Sequence, residues 1–302
     1  MQSWGLDHVR LPVDYMLFES DDAPGVYDEA RLDYVDRTLR WCKQYGLNLI
    51  LDLHHAPGFF FGNGDKNDLF TNRRSQERFI AIWKMFAHRY QAEGGNLIFE
   101  LLNELVWDTS DPWNALWQET AAEIFAISPQ RRIIIGSNHW NCIADMKDLA
   151  ISSDERIIYN FHFYEPFLFT HQRASWNEST RTYDKPVPFP FPAADFEDFY
   201  TRSGNTAPFA GFEIVDEAFI EDFVRPAVAF AEQYQKTIYC GEYGVYYRAE
   251  RQSAINWLNA VANVMIRHGI GRAVWSYRGF SAITADDNKT FDADMAATIA
   301  RR

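Results

Sequence analysis

Short apolar runs alternate with amphipathic stretches along almost the whole chain. Seven runs read as buried strands: His8–Pro12, Asn48–Leu53, Leu97–Leu102, Arg132–Ser137, Ile157–His162, Thr237–Gly241 and Arg272–Ser276. Between them, apolar residues recur at helical spacing. Asp28–Tyr45 places Leu32, Val35, Leu39 and Cys42 on one face. Arg74–Tyr90, Asn114–Ile127, Ile220–Gln235 and Gln252–His268 follow the same pattern, the last stopped by Gly269. Strand and helix in alternation predict a parallel sheet with crossover helices. Polar residues close the runs: Arg10, His54, Asn103 with Glu104, His139, His162 with Tyr164, Glu242, and Trp275. Polar groups at the ends of successive parallel strands are the layout of an α/β barrel active site. A chain of 302 residues suits one such domain, so residues 1–302 read as a single barrel. One stretch is out of scale. Glu165–Asp216 is rich in aromatics and proline and reads as an elaborated loop, about 165–216, of the kind that carries function.

Composition narrows the partners. The 29 basic and 42 acidic residues leave a net charge of −13. So acidic a chain is poorly suited to nucleic acid or anionic membranes and well suited to a neutral substrate. No apolar run is long enough to span a bilayer. Aromatics reach 16%, with 10 Trp, a surplus that suits stacking on the apolar faces of sugar rings. Cys42, Cys142 and Cys240 sit in apolar stretches without metal-finger spacing and read as buried free thiols. The opening residues MQSWGLDHVRLPV carry no signal peptide.

Glu104 and Glu242 close two different strands. A carboxyl pair brought together in this way is what glycosidic bond cleavage requires: one donates a proton to the leaving oxygen, the other attacks C1 or activates water. Taken singly, each glutamate is more often a buried ion-pair partner. The ordered series VRLP (Val9–Pro12), DLHH (Asp52–His55), LNE (Leu102–Glu104), HFY (His162–Tyr164), GEYG (Gly241–Gly244) and VWS (Val274–Ser276) resembles glycoside hydrolase family 5.

That resemblance implies a (β/α)8 TIM barrel, a retaining β-glycosidase and a polysaccharide or oligosaccharide substrate. It implies no cofactor and no metal. By the resemblance, Glu104 is the general acid/base and Glu242 the nucleophile. Asn103 holds the sugar 2-hydroxyl, while Arg10 and Tyr164 keep Glu242 ionised and aimed. His162 stands beside Glu104, His54 lines the same subsite, and Trp275 is the floor on which the sugar stacks. The carboxyls are expected about 5–5.5 Å apart, with Glu104 raised in pKa by apolar surroundings and by Glu242. Leu105 stands where the family commonly has proline. The family's VRLP motif lies on its second strand, and only eight residues precede it here, so the barrel is expected to lack its first strand. The two strand edges thus exposed invite a homodimer. The family resemblance suggests a secreted protein, and localisation stays open.

Other readings stand beside these. Glu100 shares strand parity with Glu104 but lies deeper, where a structural ion pair is expected. His139 and Trp140 are candidate subsite residues, and Asp14, Tyr15, Phe59–Phe61, Trp107, Trp113, Tyr164–Phe169, His171, Gln172, Trp176 and Phe189–Phe191 are candidates for a sugar cleft. Endo-β-1,4-glucanase is the leading activity. Exo-β-1,3-glucanase, supported by DLHHAPG, and β-mannanase are the alternatives within the family. A non-catalytic carbohydrate-binding protein on a truncated barrel is the alternative in kind.

Overall fold

A computed structural model of the chain describes residues 1–62, 67–202, 204–281, 283–284 and 290–301. Seven parallel strands form one sheet in the order β1-β2-β3-β4-β5-β8-β9. They are β1 (His8–Asp14), β2 (Asn48–His55), β3 (Leu97–Glu100), β4 (Arg132–Gly136), β5 (Ile157–Phe163), β8 (Ile238–Tyr243) and β9 (Gly271–Val274). Two more, β6 (Phe191–Pro192) and β7 (Ile214–Val215), pair antiparallel outside this sheet. The sheet curls into a barrel that stays open between β1 and β9: among the described residues, neither outer edge has a strand partner. The expected loss of one strand is what the sheet shows.

Alternation along the strands sorts side chains to two sides. Leu49, Leu51 and Leu53 of β2 point out and are buried under the helices, as are Leu97 and Phe99 of β3. Ile50, Ile134 and Tyr239, with Ile98, Ile158 and Ala273, fill the barrel's interior. Above this apolar plug, the next inward positions are polar: Arg10, Asp52, Glu100 and Asn160. The barrel therefore has an oily base and a charged upper half.

The helices begin at side-chain caps that the hydrophobic period alone does not mark. Asp28 caps Glu29–Gln44, Asn72 caps Arg73–Arg89, Asp216 caps Glu217–Tyr234 and Glu250 caps Arg251–Arg267. The helix expected from Asn114 starts earlier, at Asp111, with proline in its first turn. The helix Ala293–Ile299, capped by Asp292, was not expected; its seven residues are too short for a periodic signal. β3 is shorter than expected, ending at Glu100, and β8 runs on to Tyr243.

The stretch 165–216 is less of a loop than its composition suggests. Phe191 packs edge-on to Phe196 and Phe209, and Phe199 lies against Tyr183. Its β6–β7 pair and short helices build a satellite core. Asn256 and Trp257 tie that core to the helix Arg251–Arg267 through the carbonyls of Phe189 and Glu165. The three cysteines are free, with Cys42 and Cys240 buried. No described helix is long and apolar enough to cross a membrane.

Candidate active site

The strands and the segments that follow them bring all eight sequence-predicted site residues together. Arg10 is the hub. The side chain is 3% exposed and donates to Glu242 Oε1 through Nη1 at 2.7 Å. Its Nε and Nη2 grip Glu100 at 2.6 and 2.9 Å, and Nη2 also reaches Asn103 Oδ1 at 2.8 Å and Asp52 at 3.0 Å. Tyr164 donates its hydroxyl to the other oxygen of Glu242 at 2.9 Å. Both oxygens of the candidate nucleophile are thus held by donors.

Glu104 lives in different company. His162 Nδ1 lies 2.7 Å from Glu104 Oε1. Asn141 Nδ2 faces His162 Nε2 at 3.0 Å, so Nε2 accepts and Nδ1 carries the proton it donates to Glu104. Burial drives His162 down to about 4, so the ring is neutral near pH 7. Burial pushes the Glu104 carboxyl up to about 7, against the opposing pull of His54 and Arg10. The negative neighbour that adds to this rise is Asp52 rather than the expected Glu242. Two carboxyls with opposed surroundings therefore share one cleft. An oxygen of each lies within 4.8 Å of the other, close to the spacing of a pair with a nucleophile and well short of the gap that admits a water between them.

The backbone aims these groups by two departures from regular structure. Tyr239 points into the barrel, and Gly241 follows it by alternation. Glu242 would then point out. The pairing register shifts there on both sides, between Phe161 and His162 toward β5 and between Cys240 and Tyr243 toward β9. This bulge turns Glu242 inward while Tyr243 rejoins the outer core. Strand parity does not aim Glu104 either, because β3 has ended four residues earlier. Its own φ of 40° does so, a left-handed conformation that a non-glycine residue adopts at some cost.

His54 donates toward Asp52 at 2.8 Å and stacks on Trp275, ring centroids 5.5 Å apart and 4° from parallel. Burial would make the imidazole less basic, but Asp52 outweighs it and raises its pKa. Trp275 is half-buried and flanks Arg10 at 5.9 Å, a wall at the cleft floor. His55 turns away to Asp14 at 2.9 Å, as adjacent strand residues must.

The sequence missed three members of this network. Asp52 and Asn160 are buried and polar inside apolar runs, which is the signal that could have found them, while Asn141 lies in a polar turn and carries no such signal. Glu100 forms the expected ion pair, but its partner is Arg10, so it belongs to the site's floor.

Several cleft candidates prove to be core. Tyr15, Phe59, Trp113, Leu168, Phe169, Gln172, Phe189 and Phe191 are buried. Of the candidates, Phe61, Trp140 and Trp176 are exposed. His139, Trp140 and Asn141 form a left-handed turn whose Trp140 N–H donates to the carbonyl of Leu105, beside Glu104. His139 itself turns to Asp145.

Glu104, His162 and Glu242 are the one group of metal-capable donors among the described residues. Their atoms are already engaged with one another, with Arg10 and with Tyr164, and a guanidinium at 2.7 Å disfavours a second cation on Glu242. The arrangement suits proton transfer and nucleophilic attack.

The family described as Cellulase (glycosyl hydrolase family 5) matches residues 1–281. Endoglucanase C of Acetivibrio thermocellus is 39% identical over 302 residues, spanning 99% of this chain and 88% of that one. Cellodextrinase A of Ruminococcus flavefaciens is 35% identical over 271 residues, 89% of this chain and 74% of its own. Among solved structures, Thermotoga maritima Cel5A in complex with cellobiose superposes with a TM-score of 0.79 at 24% identity, covering 99% of this chain and 87% of that one.

Proposed function

Because the chain belongs to glycoside hydrolase family 5, the cellulase family, we propose that Glu104 and Glu242 cleave a β-glycosidic bond by double displacement. The protein is a retaining glycoside hydrolase and an endo-β-1,4-glucanase. Its substrate is an oligo- or polysaccharide. What carries the assignment of roles is the contrast between the two carboxyls: Glu242 is clamped by Arg10 and Tyr164, while Glu104 is buried, hydrogen-bonded to neutral His162 and raised to about 7.

In the first step Glu242 attacks C1 of the sugar while Glu104 passes its proton to the departing oxygen. In the second, Glu104, now charged, takes a proton from water, and that water releases the sugar from Glu242. Neutral His162 stabilises the charge that Glu104 acquires, through its Nδ1–H. Asn103 is held by Arg10 with its amide nitrogen toward His54 at 3.4 Å, at hand for the 2-hydroxyl. Trp275 offers its ring to the sugar's apolar face.

Hydrolysis of soluble β-1,4-glucan, β-1,3-glucan and β-mannan by the 302-residue chain tests linkage and sugar. The β-1,4-glucan should be the best substrate, and its viscosity should fall faster than reducing ends accumulate. A preference for mannan, or release of glucose alone from β-1,3-glucan, would reassign the substrate while leaving the chemistry in place. The open edges of β1 and β9 also support a proposed pairing with a second copy of the chain. Sedimentation velocity should then show a dimer that grows with concentration; a monomer throughout the range removes that pairing.

A further inference from the structure

Glu100 is fully buried, yet none of its partners is remote from the site. Other buried carboxylates do different work. Glu19 binds Arg78 and the Gly25 amide, and so pins a surface loop to the helix Arg73–Arg89. Glu100 sits at the end of β3, inside the barrel, and faces two side chains that each lead to Glu242.

The first route is through charge. Glu100 takes Arg10 end-on, Oε2 on Nε at 2.6 Å and Oε1 on Nη2 at 2.9 Å. This two-point grip fixes the plane of the guanidinium. Only with that plane fixed does Nη1 point at Glu242 Oε1, 2.7 Å away. The second route is through the backbone. Glu100 Oε1 also accepts from Asn160 Nδ2 at 3.0 Å, and Asn160 Oδ1 accepts from the Gly241 N–H at 2.7 Å. Gly241 immediately precedes Glu242, at the bulge that turns Glu242 inward. Asn160 presses so closely here that a Cβ on residue 241 would lie 2.6 Å from its amide. One carboxylate thus ties both the head group and the backbone of the same residue.

We infer that Glu100 is a positioning residue for the nucleophile, holding Glu242 through Arg10 on one side and through Asn160 and the Gly241 amide on the other. The inference rests on the roles proposed above for Glu242 and Glu104. It separates from a purely structural role because it predicts which chemical step slows. Attack by Glu242 on an activated aryl glycoside needs little help from an acid, so a fault on the nucleophile side slows that reaction as much as polymer hydrolysis. A fault on the acid side spares it.

The test uses 2,4-dinitrophenyl β-cellobioside and a soluble β-1,4-glucan, with Glu100→Gln, Asn160→Ala and, as references, Glu242→Ala and Glu104→Gln. Glu100→Gln is expected to slow the first turnover of the aryl glycoside and the kcat for the polymer by the same factor, about 10- to 100-fold, with KM within about twofold. Asn160→Ala leaves the Arg10–Glu100 pair whole and cuts the backbone route, losing besides it only a long 3.5 Å contact to His162 Nε2, which Asn141 holds at 3.0 Å, so it should show the same pattern more weakly. It carries the test if Glu100→Gln fails to fold. A folded Glu100→Gln with a wild-type first turnover, or an Asn160→Ala that slows only the polymer, overturns the inference. Activity retained by Glu242→Ala would instead overturn the proposed roles.

Discussion

Glu242→Ala is expected to lose about 10⁴-fold or more in kcat on every substrate, because no neighbour can take over attack on C1. Tyr164 is the nearest alternative, but burial, the largest cause of its raised pKa, persists without Glu242 and keeps its hydroxyl protonated. Glu100 is locked behind Arg10. The small cavity left by the truncation should admit azide. With an activated aryl glycoside, azide should restore turnover and yield a glycosyl azide of inverted configuration, read by NMR. Azide rescue with retained configuration, or a mutant within tenfold of the parent, would show that Glu242 is not the attacking group.

Glu104→Gln should separate the two halves of the reaction. Loss of the general acid and base is expected to cost about 10²- to 10⁴-fold on polymer. On a substrate with a good leaving group, the first turnover should stay near the parental rate and the intermediate should accumulate. The pH profile follows from the same group. Glu104 must be protonated for the first step, and its carboxyl is raised to about 7, so kcat/KM should fall as pH rises through about 7. In the Gln variant that alkaline limb should disappear. His162 does not supply the limb, since burial holds its pKa at about 4 and it is already neutral there. A limb that survives in Glu104→Gln would assign it to another group.

Much of this site was legible because barrels put chemistry at strand ends. Arg10, Asn103, His162, Tyr164 and Glu242 each lie in or just after an apolar run; the structure links Arg10, Asn103, Tyr164 and Glu242 by hydrogen bonds and brings His162 Nδ1 to 3.7 Å from Glu242. The geometry that aims them was not legible. Alternation points Glu242 out of the barrel, and only the register shift in β8 corrects it. Glu104 depends on a φ of 40° that no local residue type announces. Asn160 was hidden because a single polar residue in an apolar strand has no period of its own, and Asn141 because it lies in an irregular turn. The aromatic candidates failed for a different reason. Composition counts rings, but Trp113 and Phe169 pack inward while Trp140 and Trp176 face solvent, and tertiary packing alone decides that. In the stretch 165–216 the proline-rich sequence hid a small core, since its two strands are only two residues each.

The open margin of the barrel has a consequence for how the enzyme holds its competence. β1 carries Arg10 and is laddered to β2 alone, while β9, which leads into Trp275, is laddered to β8 alone. Strands secured on one side fray at lower free energy than those in the middle of a sheet. The guanidinium that orients the whole carboxylate cluster therefore rides on one of the two strands laddered on a single side among the described residues. Catalytic competence and global folding become separable quantities, and brief local openings at that margin can silence the site while the helices and the sheet's centre stay formed.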